Sequence, residues 1–305
     1  MSSGADPPPA TVPASAGHAE LRFDVHTGTR TYVVASRQER PNLPDATCPF
    51  CPGGLEAPDP YEVRCFVNRW PAMPGGRCEV VLYTPQHEAT FWSLGTGGAR
   101  KVIDLWADRS AALGARDDVE YVLVFENRGA EVGATIAHPH GQIYAFGFVP
   151  SVPLRELERG NVFAEPGERL VTTAPGWRAW VPEAPIFPYA LVLAPDGNVP
   201  DLPSLDGAGR EGLAAILVDV LERLDRLFDA QTPYMLWIHQ RPFDGGDWRS
   251  ARLHVEIVSP WRAPGVTRYV AAGELGSGVY FNPIAPEHAA QSLREAVAPS
   301  GGSQR

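Results

Sequence analysis

The sequence predicts an α+β protein made of two tandem units, each an antiparallel sheet with a packed helix. Three observations carry this prediction. Short runs rich in β-branched and aromatic residues cluster apart from two long helical stretches, rather than alternating strictly with them. The order of these elements recurs in the second half of the chain. Glycine and proline, 30 and 31 of 305 residues, demand many turns and leave room for only modest helix.

Met1 to about His18 is Ala/Pro/Ser-rich and is expected to be a disordered tail, as is Ser300–Arg305. Strands are expected at Arg30–Ala35, Val63–Val67, Glu79–Tyr83, Tyr121–Phe125 and Gln142–Phe148. A helix is expected over Gly98–Ala115, where Val102, Leu105, Trp106, Ala112 and Leu113 share one stripe, interrupted by Arg109. Strand-like runs return at Leu170–Thr173, Trp177–Val181 and Tyr189–Ala194. The strongest helix spans Ala208–Ala230, with Leu213, Ile216, Leu217, Val220, Leu224, Leu227 and Phe228 at helical period. Strands at Tyr234–His239 and Leu253–Ser259 follow. In each half a strand with an apolar core (YVLVFEN, YMLWIHQ) leads through a glycine-bearing loop to a strand bearing histidine (AHPHGQIYAF, RLHVEIV). This order reads as an internal duplication broken near Asn161–Glu168, with units at 19–165 and 166–299; two unrelated α+β segments are the other reading.

A net charge of −10 argues against a broad nucleic-acid-binding face, though not against one local anion pocket. No run of about 18 apolar residues occurs, so no membrane span is expected. The N-terminus lacks the basic start and apolar stretch of a secretory signal, and a cytoplasmic location is expected. Four cysteines in so long a chain do not make a disulfide framework, and metal ligation becomes the question.

The densest chemistry is Ala-His138-Pro-His140-Gly-Gln142-Ile-Tyr. Residues two apart on a strand share a face, so His138, His140 and Gln142 point the same way. Upstream, Phe125-Glu-Asn127-Arg-Gly runs into a loop with Gly133-Ala134-Thr135, whose backbone N–H groups can approach phosphate oxygens. An imidazole beside such a loop suits attack on phosphorus: it is neutral near pH 7, nucleophilic, and its N-phosphoryl product is labile enough to pass the group on. Gln142 can donate to a non-bridging oxygen. Separately, Cys48-Pro-Phe-Cys51 followed by Pro-Gly is a knuckle suited to tetrahedral zinc. Its Pro-rich setting does not fit the redox reading of CxxC. Without a second CxxC, two further ligands must be histidines.

The stretch FENRG…HPHGQIYAF closely resembles the signature of galactose-1-phosphate uridylyltransferases, of the histidine-triad superfamily, and the resemblance runs from about Leu21 to Val297. It implies an α+β fold of two tandem histidine-triad-like units. It implies that His140 attacks the α-phosphorus of UDP-glucose, releases glucose 1-phosphate and passes UMP from a uridylyl-histidine to galactose 1-phosphate, a step of the Leloir pathway. The family's glutamine maps to Gln142, its asparagine to Asn127, and its GxS-like loop to Gly133, Ala134 and Thr135, with threonine where serine is usual. The nucleotide-holding Phe-x-Asn maps to Phe66 and Asn68, and the phosphate-meeting Arg-x-x-Arg-Pro looks like Arg37, Arg40 and Pro41. The resemblance also supplies the missing zinc ligands, His87 and His138 beside Cys48 and Cys51. Cys65 and Cys78 are expected as buried hydrophobes, and His18, His26 and His288 as surface residues.

Some family members hold a second divalent metal, often assigned as iron. The matching positions are Glu156, His239, His254 and Glu256, the last in place of the usual histidine; they also read as strand polars of a vestigial duplicate site. Arg268 and Glu274 map onto a lysine and glutamate that reach the hexose phosphate across a homodimer, while Tyr280 falls where a glutamine is usual. A loop anchor is the other reading of Glu274. The ELGSGVYFNP form also resembles sugar-nucleotide phosphorylases, one of them ADP-glucose-directed. Three readings follow from this: a nucleotidyltransferase, a phosphorylase or hydrolase of the same superfamily, and a nucleotide-binding protein without turnover.

Overall fold

The computed structural model describes residues 19–35, 48–160 and 162–297. The expected tails and the Arg37/Arg40 segment lie outside the described residues. Two strands open the described chain, β1 (Ala19–Phe23) and β2 (Arg30–Val34), paired with each other as a separate hairpin. Then come β3 (Arg64–Val67), β4 (Cys78–Leu82), α1 (Gly95–Gly114), β5 (Tyr121–Arg128), β6 (His140–Phe146) and α2 (Ser151–Glu158). The second half follows with β7 (Leu170–Ala174), β8 (Trp177–Trp180), β9 (Tyr189–Pro195), α3 (Gly207–Phe228), β10 (Tyr234–His239) and β11 (His254–Ser259). A small hairpin, β12 (Trp261–Ala263) with β13 (Val266–Thr267), and helices α4 (Ala272–Ser277) and α5 (Pro286–Glu295) complete it.

The expected strands and both long helices form, with ends shifted by a few residues. The short helices α2, α4 and α5 escaped the sequence because each is short, and two of them hold only two or three buried residues. The two units do not keep separate sheets. They join through β5 and β10 into one nine-stranded antiparallel sheet, ordered β3-β4-β6-β5-β10-β11-β9-β8-β7. Read outward from the β5–β10 seam, β6 answers β11, β4 answers β9 and β3 answers β8.

Alternation along the strands sorts side chains onto two faces. Val81, Val122, Val124, Ile143 and Ala145 face α1, and Leu191, Leu193, Leu236, Val255 and Ile257 face α3, all within one buried core. The two helices pack side by side on that face. Asp206 caps α3 by accepting from Gly209 N at 2.7 Å. Arg109, the polar residue in the α1 stripe, is explained by a buried partner: its guanidinium forms a two-pronged pair with Glu79 of β4, at 2.7 and 2.9 Å. Cys65 donates to the same carboxylate at 3.1 Å, and Cys78 is fully buried, so neither is placed as a metal ligand. His26 and His288 are exposed. The opposite face of the sheet carries His140, Gln142, His239, His254 and Glu256.

Candidate functional site

The site begins at the knuckle before β3. Gly54 turns there beneath three converging carbonyls: an added Cβ would lie 2.7 Å from Cys48 O, 2.7 Å from Pro49 O and 2.8 Å from Cys51 O. Only glycine fits, and the tight turn aims both thiols inward. Cys48, Cys51, His87 and His138 bring one ligand atom each within 4.8 Å of one another. Cys51 Sγ lies 3.5 Å from His87 Nδ1 and 3.6 Å from His138 Nδ1. Ligand atoms around a tetrahedral zinc, at bond lengths of about 2.0–2.3 Å, stand roughly 3.5 Å apart, so the donor set and its spacing fit zinc. His138 is completely buried, and its Nε2 donates to Thr84 O at 2.8 Å beside the Tyr61 hydroxyl at 3.0 Å. That bond fixes the tautomer and turns the Nδ1 lone pair toward the thiols. Burial, and then the neighbouring His87, hold the His138 imidazole below its ordinary pKa even against the Thr84 hydrogen bond, which keeps it neutral as ligation requires. Burial also raises the Cys51 thiol pKa, with Cys48 adding to it; a bound cation would reverse that shift.

Two residues on, His140 opens β6 opposite Leu82 of β4. Its Nδ1 donates to the His138 carbonyl at 2.8 Å, which leaves the lone pair on Nε2. Phe50, inside the knuckle, packs edge-on against the ring with centroids 5.0 Å apart. His140 lies in the wall of a cavity of about 450 Å³, together with Phe50, Phe66, Asn68, Thr135 and Gln142. Asn68 Nδ2 approaches Gln142 Oε1 at 3.4 Å, which leaves the Gln142 amide N–H groups for another acceptor. The sequence reading missed the far end of this cavity, where Leu55, Glu56, Arg69 and Trp70 stand. Glu56 and Arg69 close it with an ion pair at 2.5 Å. Phe50 sits inside CPFC, a run whose spacing marks only its cysteines, and Leu55 and Trp70 carry no sequence signal of their own.

Other sequence-derived residues are placed less simply. Gly133 and Ala134 spend their N–H groups inside the loop, donating to Ala130 O at 3.0 Å and Gly129 O at 3.1 Å. Of that triplet Thr135 alone lines the cavity. Asn127 lies on β5 opposite Met235, outside the cavity lining. Arg268 and Glu274 are both buried and pair with each other; Glu274 also accepts from Ala271 N and Phe281 N, each at 2.9 Å, and neither residue reaches the His140 cavity of its own chain.

The second half repeats the arrangement with different side chains. Gln142 sits opposite Val80 and Phe125, and Glu256 opposite Val192 and Trp237, so the two occupy equivalent register positions. His254, two residues before Glu256, answers His140, and its Nδ1 likewise donates to the carbonyl two residues back, Arg252 O at 2.9 Å. Phe163 packs on His254 at 5.2 Å as Phe50 does on His140. Here the ring faces a second group of possible ligands, Glu156, His239, His254 and Glu256, again within 4.8 Å of one another. His239 Nδ1 is 2.8 Å from Glu156 and 3.5 Å from Glu256, and His254 Nε2 is 3.6 and 3.8 Å from the same two carboxylates. Burial works against charge on both partners. The carboxylates nonetheless raise the His254 pKa, and the two histidines lower that of Glu256. Two imidazoles and two carboxylates suit a divalent transition metal.

Fold and site together define a duplicated α+β protein with one histidine of the HPH run in a cavity wall and the other in a cluster whose donors suit zinc. The family model for the N-terminal domain of galactose-1-phosphate uridyl transferase matches residues 68–150, and that for its C-terminal domain matches residues 154–296. A galactose-1-phosphate uridylyltransferase of Thermotoga maritima is 34% identical over 90% of this chain and 98% of its own. A solved uridylyltransferase superposes with a TM-score of 0.81 at 27% identity, covering 90% of this chain and 98% of that one. An Arabidopsis thaliana ADP-glucose phosphorylase shares the fold, with a TM-score of 0.72 at 22% identity over 92% of this chain and all of the other. The chain belongs to the galactose-1-phosphate uridyl transferase family.

Proposed function

We propose that the protein transfers UMP from UDP-glucose to galactose 1-phosphate through a covalent uridylyl-His140. The observation that carries this reading is the His140 ring, held by its Nδ1–H on the His138 carbonyl, in a cavity wall beside Gln142. In the first half-reaction the Nε2 lone pair forms a bond to the α-phosphorus. The bond from phosphorus to the bridging oxygen breaks, and glucose 1-phosphate leaves with its electron pair. The imidazolium so formed keeps Nδ1–H on the carbonyl, which stabilises its charge. In the second, a phosphate oxygen of galactose 1-phosphate attacks the same phosphorus and the P–N bond breaks, returning the pair to Nε2. Gln142 donates to a non-bridging oxygen, while Phe66, Asn68 and Thr135 hold the nucleotide. Arg37 and Arg40, placed by sequence alone, meet the phosphates; Asn127, on β5, and Gly133 and Ala134, whose N–H groups close their own turn, keep only the assignment that the sequence motif gives them.

Zinc at Cys48, Cys51, His87 and His138 has a structural role: it fixes the strand entry from which His140 is aimed. Glu156, His239, His254 and Glu256 hold a second divalent ion, iron or zinc, that ties α2 to the sheet. The units divide near 165/166. The protein acts as a cytoplasmic homodimer with no nucleic-acid or membrane partner. Exposed Tyr269, Leu275 and Phe281, at 79%, 71% and 71% accessibility, support the dimer reading, since a segment this apolar calls for cover. Contact of Arg268 and Glu274 with the hexose phosphate is the consequence proposed for that pairing. No helix among the described residues is long and apolar enough to cross a membrane.

The test is incubation with UDP-glucose labelled in the uridine, followed by acid and alkali treatment of the isolated protein. An acid-labile, alkali-stable label that galactose 1-phosphate discharges as UDP-galactose supports the transferase. Discharge by inorganic phosphate alone, with ADP-glucose as the better donor, would point to a phosphorylase instead.

A further inference from the structure

We propose that Tyr83 and Glu126 are a positioning pair for the nucleophile: from the buried face of the sheet they set the height of Gly141, and with it the aim of His140 and Gln142 into the cavity. Gly141 lies between those two residues and faces the helices. A Cβ on it would stand 2.1 Å from Tyr83 Oη, 3.0 Å from Tyr83 Cζ and 3.1 Å from the carbonyl of Phe125. The strand therefore rests directly on the phenol. Tyr83 touches the same segment a second time, its backbone N–H donating to Pro139 O at 3.3 Å, so it holds the chain on both sides of His140.

The phenol has little freedom to move. Tyr83 is 2% exposed and packs edge-on against Phe91 and Trp106, with centroids 5.4 and 5.8 Å away. Burial first, and the charge of Glu126 second, keep its hydroxyl protonated well above the ordinary tyrosine value, so it remains a donor. Glu126 is the buried carboxylate one residue past Phe125, the register partner of Gln142, and so comes beside Gly141 on the buried face. Its Oε1 accepts from the Tyr234 hydroxyl at 2.6 Å, and its Oε2 has no hydrogen bond in good geometry among the described residues, nor has Tyr83 Oη. The chain continues across the seam between the two halves. The Arg128 guanidinium lies 4.5 Å from the centre of the Tyr234 ring and pairs with Asp225 of α3, which also accepts from Trp92 at 2.7 Å. The buried carboxyl of the FEN run is thus tied to both halves of the sheet directly beneath the reacting residues. Burial pushes its pKa up to about 7.

This inference rests on His140 being the nucleophile, and the test separates the two. Single-turnover labelling from UDP-glucose is measured alongside the UDP-glucose Kd and zinc content. Tyr83→Phe keeps the ring but removes the atom under Gly141; a displacement well under 1 Å of the reacting groups slows labelling by about tenfold or more, with Kd and zinc unchanged. Gly141→Ala alone also slows labelling. Combined with Tyr83→Phe, which removes the 2.1 Å clash though not the tight contacts at Cζ and the Phe125 carbonyl, it labels faster than Gly141→Ala alone. Glu126→Gln, which keeps the shape and the acceptor for Tyr234, retains more of the rate than Glu126→Ala. Wild-type labelling rates in Tyr83→Phe, or equal damage by Gly141→Ala in both backgrounds, overturn the positioning pair. If wild-type protein takes no label, or His140→Ala still does, the proposed function itself has failed.

Discussion

The two halves of the sheet carry the same backbone and opposite chemistry. At equivalent register positions the first half sets Phe66, Phe125, Asn127, His140 and Gln142, and the second sets Trp180, Trp237, His239, His254 and Glu256. Both histidines hold Nδ1–H on the carbonyl two residues back, so both direct Nε2 to the same face. What surrounds Nε2 differs. In the first half Phe66 lines a cavity of about 450 Å³ and a neutral amide, Gln142, stands in the same wall as the ring. In the second, two tryptophans occupy the phenylalanine positions, and the nearby cavity lined by Phe163, Arg178 and Arg252 is about 120 Å³. Trp237 Nε1 donates to Glu256 at 3.1 Å, and the two carboxylates converge on His254, which is 3% exposed. A phosphoryl group brought to His254 Nε2 would meet the like charge of Glu156 and Glu256. A shared strand geometry therefore aims both histidines; under the proposed function, the residues flanking each decide whether it faces a substrate or a cation.

The largest expected effect breaks the symmetry outright. His140→Ala lowers UMP exchange by roughly 10⁴-fold or more, as loss of a covalent nucleophile does, while zinc content is unchanged. His254→Ala leaves covalent labelling in place and lowers the content of the second metal, as measured by elemental analysis of the purified protein. Next in size is the zinc knuckle. Cys48→Ser lowers zinc content and melting temperature together, because binding free energy is also folding free energy. Full zinc loss with unchanged melting would contradict a structural role. Gln142→Ala leaves an enzyme slower by about 10²-fold, the usual cost of one preorganised donor. The smallest effect is Glu256→Gln. It weakens the second metal site and makes the register partner more like its first-half counterpart, yet gains no labelling of His254, since the Glu156 carboxylate still faces the His254 ring.

Much of this contrast was legible in the sequence, for identifiable reasons. HGQ places His140 and Gln142 on one face of β6 by period alone, whereas His138 lies before the strand and turns into the Cys48–Cys51 cluster, whose CxxC spacing is local. The duplicated order of elements also survived weak identity between halves, because the hydrophobic period of α3 and the apolar cores of β5 and β10 are strong signals. The merging of two sheets into one was not legible, since the β5–β10 register is a long-range pairing with no local signature. Nor was the correspondence of Gln142 with Glu256, which needs that register. The Gly133 and Ala134 amides were expected to face phosphate but are used within their own turn, a choice made by the loop's closure on Gly129 and Ala130. Arg268 and Glu274 illustrate the same limit: the motif identifies the residues, while their mutual burial depends on a fold back onto Phe281 and Phe187.

The central claim is that one of two equivalently aimed histidines is the nucleophile. It is tested most directly by locating the covalent adduct. Protein reacted with UDP-glucose, without acceptor, is digested at alkaline pH and the uridylyl group is mapped by mass spectrometry. The account predicts a single adduct on His140, in the peptide containing HPHGQ, and unmodified His254. An adduct on His254, or a discharging adduct on any residue other than His140, would contradict it.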